Sequence, residues 1–188
     1  AFYAVTKKMH NALHGDPVVF EPKDFAVYEE TVEQNAGSLP LEADIVYVHD
    51  PQPAALVEKR GRWKNRWVWR CHIDLSRRDS ALWDYLRPRV EAYDAAVFSA
   101  PAFAQDLPIP QALIAPSIDP LSDKNMAMSA DEARAVAEKL GVPLDRPLAT
   151  QVSRFDRLKD PVGVIRAFRL ARREIDARLL IVGGAADD

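Results

Sequence analysis

The run Ser153-Arg154-Phe155-Asp156-Arg157-Leu158-Lys159-Asp160 holds a guanidinium and an ammonium, Arg154 and Lys159, with four residues between them. It follows an apolar stretch at 148–152 and precedes Pro161, a residue suited to the first position of a helix. Ligands of open parallel sheets gather at the carboxyl ends of strands. A helix amino terminus there attracts anions through its amides and dipole. A planar fork and a point charge together suit a diphosphate, whose oxygens take charge-assisted hydrogen bonds. The same residues also read as solvated charges balancing Asp156 and Asp160, because charged loops before helices are common. His72 closes a second apolar run and His49-Asp50 a third, where Asp-Pro is also an ordinary turn signal. Cys71 alternates away from His72 on its strand, so no Cys–His nucleophile pair is expected.

The elements that must hold these groups alternate between two periods. Residues 5–13 and 24–35 place apolar side chains at helical spacing, with Phe25, Tyr28 and Val32 opposite Glu29, Glu30 and Glu33. Continuous apolar runs at 45–48, 67–73, 95–98, 111–115, 148–152 and 179–182 predict buried parallel strands. Helices are expected at 80–93, from a Ser129/Glu132 capping box to Gly141, and from Asp160-Pro161 to Arg173. The fold class is α/β, with parallel sheets of Rossmann type. The proline-punctuated stretch at 116–125 is the expected domain boundary.

Composition narrows the function classes. The chain has 188 residues, 48% hydrophobic and 28% charged, which excludes a disordered polymer. A net charge of −3 gives no global attraction to nucleic acid or acidic lipid. No apolar run reaches the roughly 20 residues of a membrane helix. One cysteine excludes an intrachain disulfide and fits a reducing cytosol, so a cytoplasmic location is expected. No glycine-rich phosphate cradle and no Asp-x-Asp metal bridge is present, so no cofactor is expected; magnesium is compatible but nothing encodes it.

Several runs resemble a known family. The stretch from Ser153 to Pro161 resembles the Arg-x4-Lys phosphate clamp of retaining glycosyltransferases built from two Rossmann domains. Val5-Thr6-Lys7-Lys8…His10-Asn11-Ala12-Leu13, His49-Asp50-Pro51-Gln52-Pro53 and Trp69-Arg70-Cys71-His72-Ile73-Asp74-Leu75-Ser76 resemble the trehalose glycosyltransferring synthases. The run Ser117-Ile118-Asp119-Pro120-Leu121-Ser122-Asp123-Lys124-Asn125 and the closing Gly183-Gly184…Asp187-Asp188 fit the same family, in order along the chain. The resemblance implies transfer of glucose from a nucleotide-glucose to glucose, giving trehalose with retained configuration.

It also implies roles. Arg154 and Lys159 would hold the donor diphosphate, with Gly183 and Gly184 letting backbone approach the donor. His72 would hydrogen-bond the reacting sugar as a neutral imidazole, making His72, Arg154 and Lys159 the catalytic set. His49 and Asp50 would bind the acceptor. Residues 1–117 would be the carboxyl-terminal part of the acceptor-side Rossmann domain, and 118–188 the amino-terminal part of the donor domain. The substrate groups would then meet between these two sets of residues. The chain reads as the middle of a longer protein, lacking the glycine-rich donor loop before Ala1 and the glutamate motif after Asp188, and inactive by itself. Expected partners are small-molecule substrates, with no nucleic acid and no membrane; a homodimer is left open.

A different reading attaches to segment 59–70. Lys59, Arg60, Arg62, Lys64, Arg66 and Arg70 interleave with Trp63, Trp67 and Trp69, which is the composition of a single-stranded nucleic-acid platform. The two-residue period puts Trp67 and Trp69 on one face of a strand, which favours core packing instead.

Overall fold

Apolar spacing close to 3.6 residues makes two opening helices, α1 (Phe2–Leu13) and α2 (Pro22–Ala36). Glu21 caps α2, with Pro22 at the first position and Asp24 completing a capping box. The computed structural model describes residues 1–61 and 64–184. Arg62 and Trp63 of the basic segment, and Asp187 and Asp188 of the closing motif, lie outside the described residues.

The chain divides into two units, Ala1–Ser117 and Ile118–Asp188. In the first, strands β1 (Ile45–His49), β2 (Arg66–Cys71), β3 (Ala95–Phe98) and β4 (Gln111–Leu113) form one parallel sheet in that order. Helix α3 (Ser80–Glu91) connects β2 to β3, and Asp79 caps it by accepting from the Leu82 amide at 2.8 Å. The core draws Met9, Leu13, Tyr28, Trp67, Trp69, Trp83, Leu86 and Phe98 from helices and strands alike. The second unit holds α4 (Ala130–Lys139), the parallel pair β5 (Leu148–Val152) and β6 (Arg178–Val182), and α5 (Pro161–Ala171) between them. Ser129 and Glu132 form the expected capping box of α4. Among the described residues of this unit only Ala177 is fully buried, and a two-stranded sheet is marginal in water without further packing. Among the described residues no helix is long and apolar enough to cross a membrane.

Two differences from the sequence expectation have physical reasons. Strand β2 stops at Cys71 rather than at residue 73, because the next amide, His72 N–H, donates to the Asp50 carboxylate at 2.8 Å instead of extending the ladder. Residues Ala54–Lys59 form a 3-10 helix that periodicity did not reveal, since Ala54, Ala55, Leu56 and Val57 are all buried and leave no polar face to read.

Three buried aromatic side chains hold the turn after β1. Tyr28 donates its hydroxyl to the Pro51 carbonyl at 2.9 Å and accepts the Ala55 amide at 3.1 Å. Tyr93 donates to the Ala54 carbonyl at 2.8 Å, and the Trp69 indole donates to the Asp50 carbonyl at 2.9 Å. Burial pushes the Tyr28 hydroxyl up to about 12, so it stays protonated and keeps donating. Tyr28→Phe leaves one buried amide and one carbonyl without that partner and should cost about 1–3 kcal/mol in chemical denaturation. An unchanged midpoint and slope would show that the hydroxyl is dispensable.

At the amino end of the sheet, Asp94 accepts from Arg60 at 2.8 Å and from the Trp67 amide at 2.7 Å, with Arg66 at 3.7 Å. Burial raises the Asp94 carboxyl, but the Trp67 amide and the two guanidiniums outweigh it and hold it below its ordinary value. A carboxyl depressed in the folded state stabilises above its unfolded value, near 4, and that contribution disappears as pH falls through the folded value. Unfolding in urea should therefore become easier below about pH 4, and Asp94→Asn should shrink that change. An acid slope identical in the variant would assign the effect elsewhere.

Candidate functional site

The parallel register brings His49, Asp50 and His72 to the carboxyl edge of the first sheet. His49 pairs with Arg70 across β1 and β2, which sets His72 just beyond the end of its strand. The two imidazoles meet there: His49 Nδ1 and His72 Nε2 are 2.9 Å apart, with ring planes 8° from parallel. Both rings are exposed at the edge, and Tyr47 packs on His49 at 4.9 Å between centroids. Asp50 adopts a left-handed backbone, φ 67°, and one of its carboxylate oxygens takes the His72 amide. Beneath them the buried Arg70 donates to the Ile114 carbonyl at 2.9 Å, tying β2 to the chain after β4.

Cys71 is fully buried, and desolvation pushes its thiol up to about 12. A thiol in that state is neither nucleophile nor ligand, as the strand alternation predicts. Trp67 and Trp69 are 0% and 1% exposed and so offer no ring to a base. Of the cations around them, Lys59 pairs with Glu33, Arg60 with Asp94, and Arg66 with Asp94. In the described part of segment 59–70 the strand is thus built into the core and Lys59, Arg60 and Arg66 are paired, while Lys64 is exposed.

In the second unit the loop from Ser153 to Asp160 leaves the carboxyl end of β5. Arg154 reaches Asp156 at 3.1 Å, with its side chain 70% exposed. Asp156 also accepts the Lys159 amide at 3.0 Å, and Gln151 donates to the Lys159 carbonyl at 2.8 Å. Both cations thus hang from a loop braced by Asp156 and Gln151, neither of which sequence reading singled out for a role. The Asp-x-x-Lys spacing, typical of a side chain closing a turn on a nearby amide, was the available signal.

The α5 amino terminus contributes less than expected. Asp160, at φ 43°, caps it by accepting the Gly163 amide at 2.9 Å. That amide is occupied and so is not offered to an anion. Gly183 has a structural duty as well: a Cβ there would collide with the Ser153 carbonyl oxygen and lie 3.2 Å from the Phe155 ring. The ladder continues past both strands, with Ser153 N–H on the Val182 carbonyl and Phe155 N–H on the Gly184 carbonyl, each at 2.9 Å. At Gly184 a Cβ would meet nothing within 4 Å. Among the described residues no group of three or more His, Cys, Asp or Glu is placed to hold a metal ion.

A concavity lined by Val57, Glu58, Tyr85, Pro88, Arg89 and Ala92 lies elsewhere on the first unit. There Arg89 pairs with Glu29 and Glu58, both at 2.7 Å, so the one guanidinium is fully engaged by two carboxylates.

The family model described as "Trehalose synthase, N-terminal domain" matches residues 1–105. A trehalose synthase of Rubrobacter xylanophilus is 44% identical over 195 residues, covering 100% of this chain and 47% of that protein. An alpha,alpha-trehalose-phosphate synthase (UDP-forming) from Burkholderia vietnamiensis superposes with a TM-score of 0.71 at 18% identity, covering 98% of this chain and 50% of that one. A structure described as "Trehalose-6-phosphate from E. coli bound with UDP-2-fluoro glucose" gives 0.71 at 14% identity, covering 97% and 48%. At such identities the two superpositions speak for the α/β fold alone. The chain spans about half the length of the curated relatives it matches.

Proposed function

The chain belongs to the trehalose synthase family, and from that premise we propose that the protein is a retaining glycosyltransferase that moves glucose from a nucleotide-glucose to glucose, forming trehalose. The observation carrying this reading is the pair of cations, Arg154 and Lys159, on one braced loop at the carboxyl end of β5. As the bond between sugar and diphosphate breaks, negative charge grows on the leaving phosphate. Cations already in place stabilise that charge without reorganising, which lowers the barrier more than it tightens the ground state. Lys159 acts as a point charge and Arg154 as a planar fork. Arg154 gives up its contact with Asp156 to reach the phosphate, a small loss for so exposed a pair.

On the first unit, His72 hydrogen-bonds a hydroxyl of the transferred glucose, and the free oxygen of Asp50 accepts from a hydroxyl of the acceptor. His49 stands beside them on the acceptor's side. A fold relative solved with UDP-2-fluoro glucose makes a uridine diphosphate sugar the first donor to try. The test is incubation of the intact protein with UDP-, ADP- and GDP-glucose and free glucose, watching for a non-reducing disaccharide by NMR. An α,α-linkage formed from an α-linked donor establishes retention; transfer only to glucose phosphate, or none by folded protein, rejects the reading.

A further inference from the structure

The contact between the two imidazoles at the carboxyl edge has a consequence for which atoms face a ligand. We propose that His49 is a positioning residue for His72, fixing the ring tautomer that His72 presents to the transferred sugar. This rests on the functional reading above, and it reassigns His49 from acceptor contact to orienting its neighbour. The argument is a proton count. At 2.9 Å, His49 Nδ1 and His72 Nε2 hold one hydrogen between them. If His49 donates, His72 carries its other hydrogen on Nδ1, and the outer nitrogen of His49 is bare. If His72 donates, the assignments reverse. Either way the neutral pair turns outward one donor and one acceptor. That is complementary to neighbouring sugar hydroxyls, each of which both donates and accepts. An isolated imidazole chooses between its tautomers freely; this one cannot change without its partner changing in step.

The surroundings hold that arrangement. The His72 backbone is fixed by Asp50 through its amide. The His49 ring lies between Tyr47 on its own strand and the His72 ring, which parallels it at 5.2 Å between centroids. Charges facing the pair are the Asp50 carboxylate and, on the adjoining strand, Arg70, whose guanidinium is engaged with the Ile114 carbonyl. A second positive charge on the pair would place two N–H groups head to head, so the contact survives with one added proton and not with two.

The experiment compares His49→Phe, which keeps an aromatic ring without Nδ1, with His49→Asn, whose amide restores a polar atom near that position. Both are made in the intact protein, and histidine ring nitrogens are followed by NMR alongside steady-state kinetics. The expected wild-type spectrum shows His72 in one dominant tautomer. In His49→Phe its nitrogens move to the averaged shifts of a free imidazole, and kcat falls about tenfold with acceptor KM little altered. His49→Asn recovers most of that kcat. Unchanged His72 nitrogens in His49→Phe overturn the proposal, as does a raised acceptor KM with kcat intact, which returns His49 to direct contact. If His49→Phe does not fold, the wild-type spectrum decides, because tautomer populations that differ between His49 and His72 are incompatible with the pair. The nitrogen readout needs no turnover. A fully active His72→Ala would therefore remove His72 from the sugar contact proposed above while leaving the tautomer result standing.

Discussion

Arg154→Ala in the full-length protein is expected to lower turnover about 10²- to 10³-fold while leaving acceptor KM little changed. The magnitude follows from where the charge is needed. In the resting protein Arg154 is mostly exposed and pairs with Asp156, an ion pair of the kind that adds little to stability. Its removal should therefore leave the unfolding midpoint close to wild type, and nearly all of the effect should appear in kcat. Arg154→Lys separates two aspects of the side chain. It keeps the charge and loses the planar fork, so partial recovery marks charge as the main contribution and no recovery marks bidentate geometry. Wild-type turnover in a folded Arg154→Ala protein removes the clamp from the mechanism.

Gly183→Ala should be nearly as damaging for a different reason. The added methyl would be driven into the Ser153 carbonyl, and both atoms belong to a backbone locked by the hydrogen bonds at Val182 and Gly184. Overpacking against backbone costs about 1–3 kcal/mol, and the displaced segment is the one that carries Arg154. Both thermal stability and kcat should drop. Gly184→Ala is the control, because nothing lies within 4 Å of its added carbon. Full stability with lost turnover at Gly184 assigns that position to the donor's approach. Unimpaired stability and turnover in Gly183→Ala contradict the close packing described above.

The sequence made some of this legible and hid the rest for identifiable reasons. Strand β3 matches its apolar run residue for residue, because a parallel strand buried between layers has no alternation to blur its ends; β5 matches in extent but not in burial, since none of its five residues is buried in this two-stranded sheet. The pairing of Trp67 with Trp69 on an inward face came from the two-residue period, and both are buried. Arg154, Lys159, His49, Asp50 and His72 were all found as candidates at strand ends. Their mutual geometry was not legible. The contact between His49 and His72 depends on strand register, which residues 23 apart in sequence do not encode locally. Asp160-Pro161 did mark the start of α5, but an aspartate before proline gives no sign that it will turn left-handed and occupy the Gly163 amide. Nor did Gln151 and Asp156 stand out, because bracing a loop requires no unusual residue type.

The single thiol has a practical consequence. Cys71 is sealed in the first unit's interior and its proton is held tightly, so maleimide reagents should pass it by while the protein is native. A cysteine introduced at Leu158, beside the two cations, would then be the sole labelling handle. A fluorophore or spin probe attached there could report donor arrival without any background substitution. Slow reaction at Cys71 itself would serve as a clock for opening of the surrounding layer.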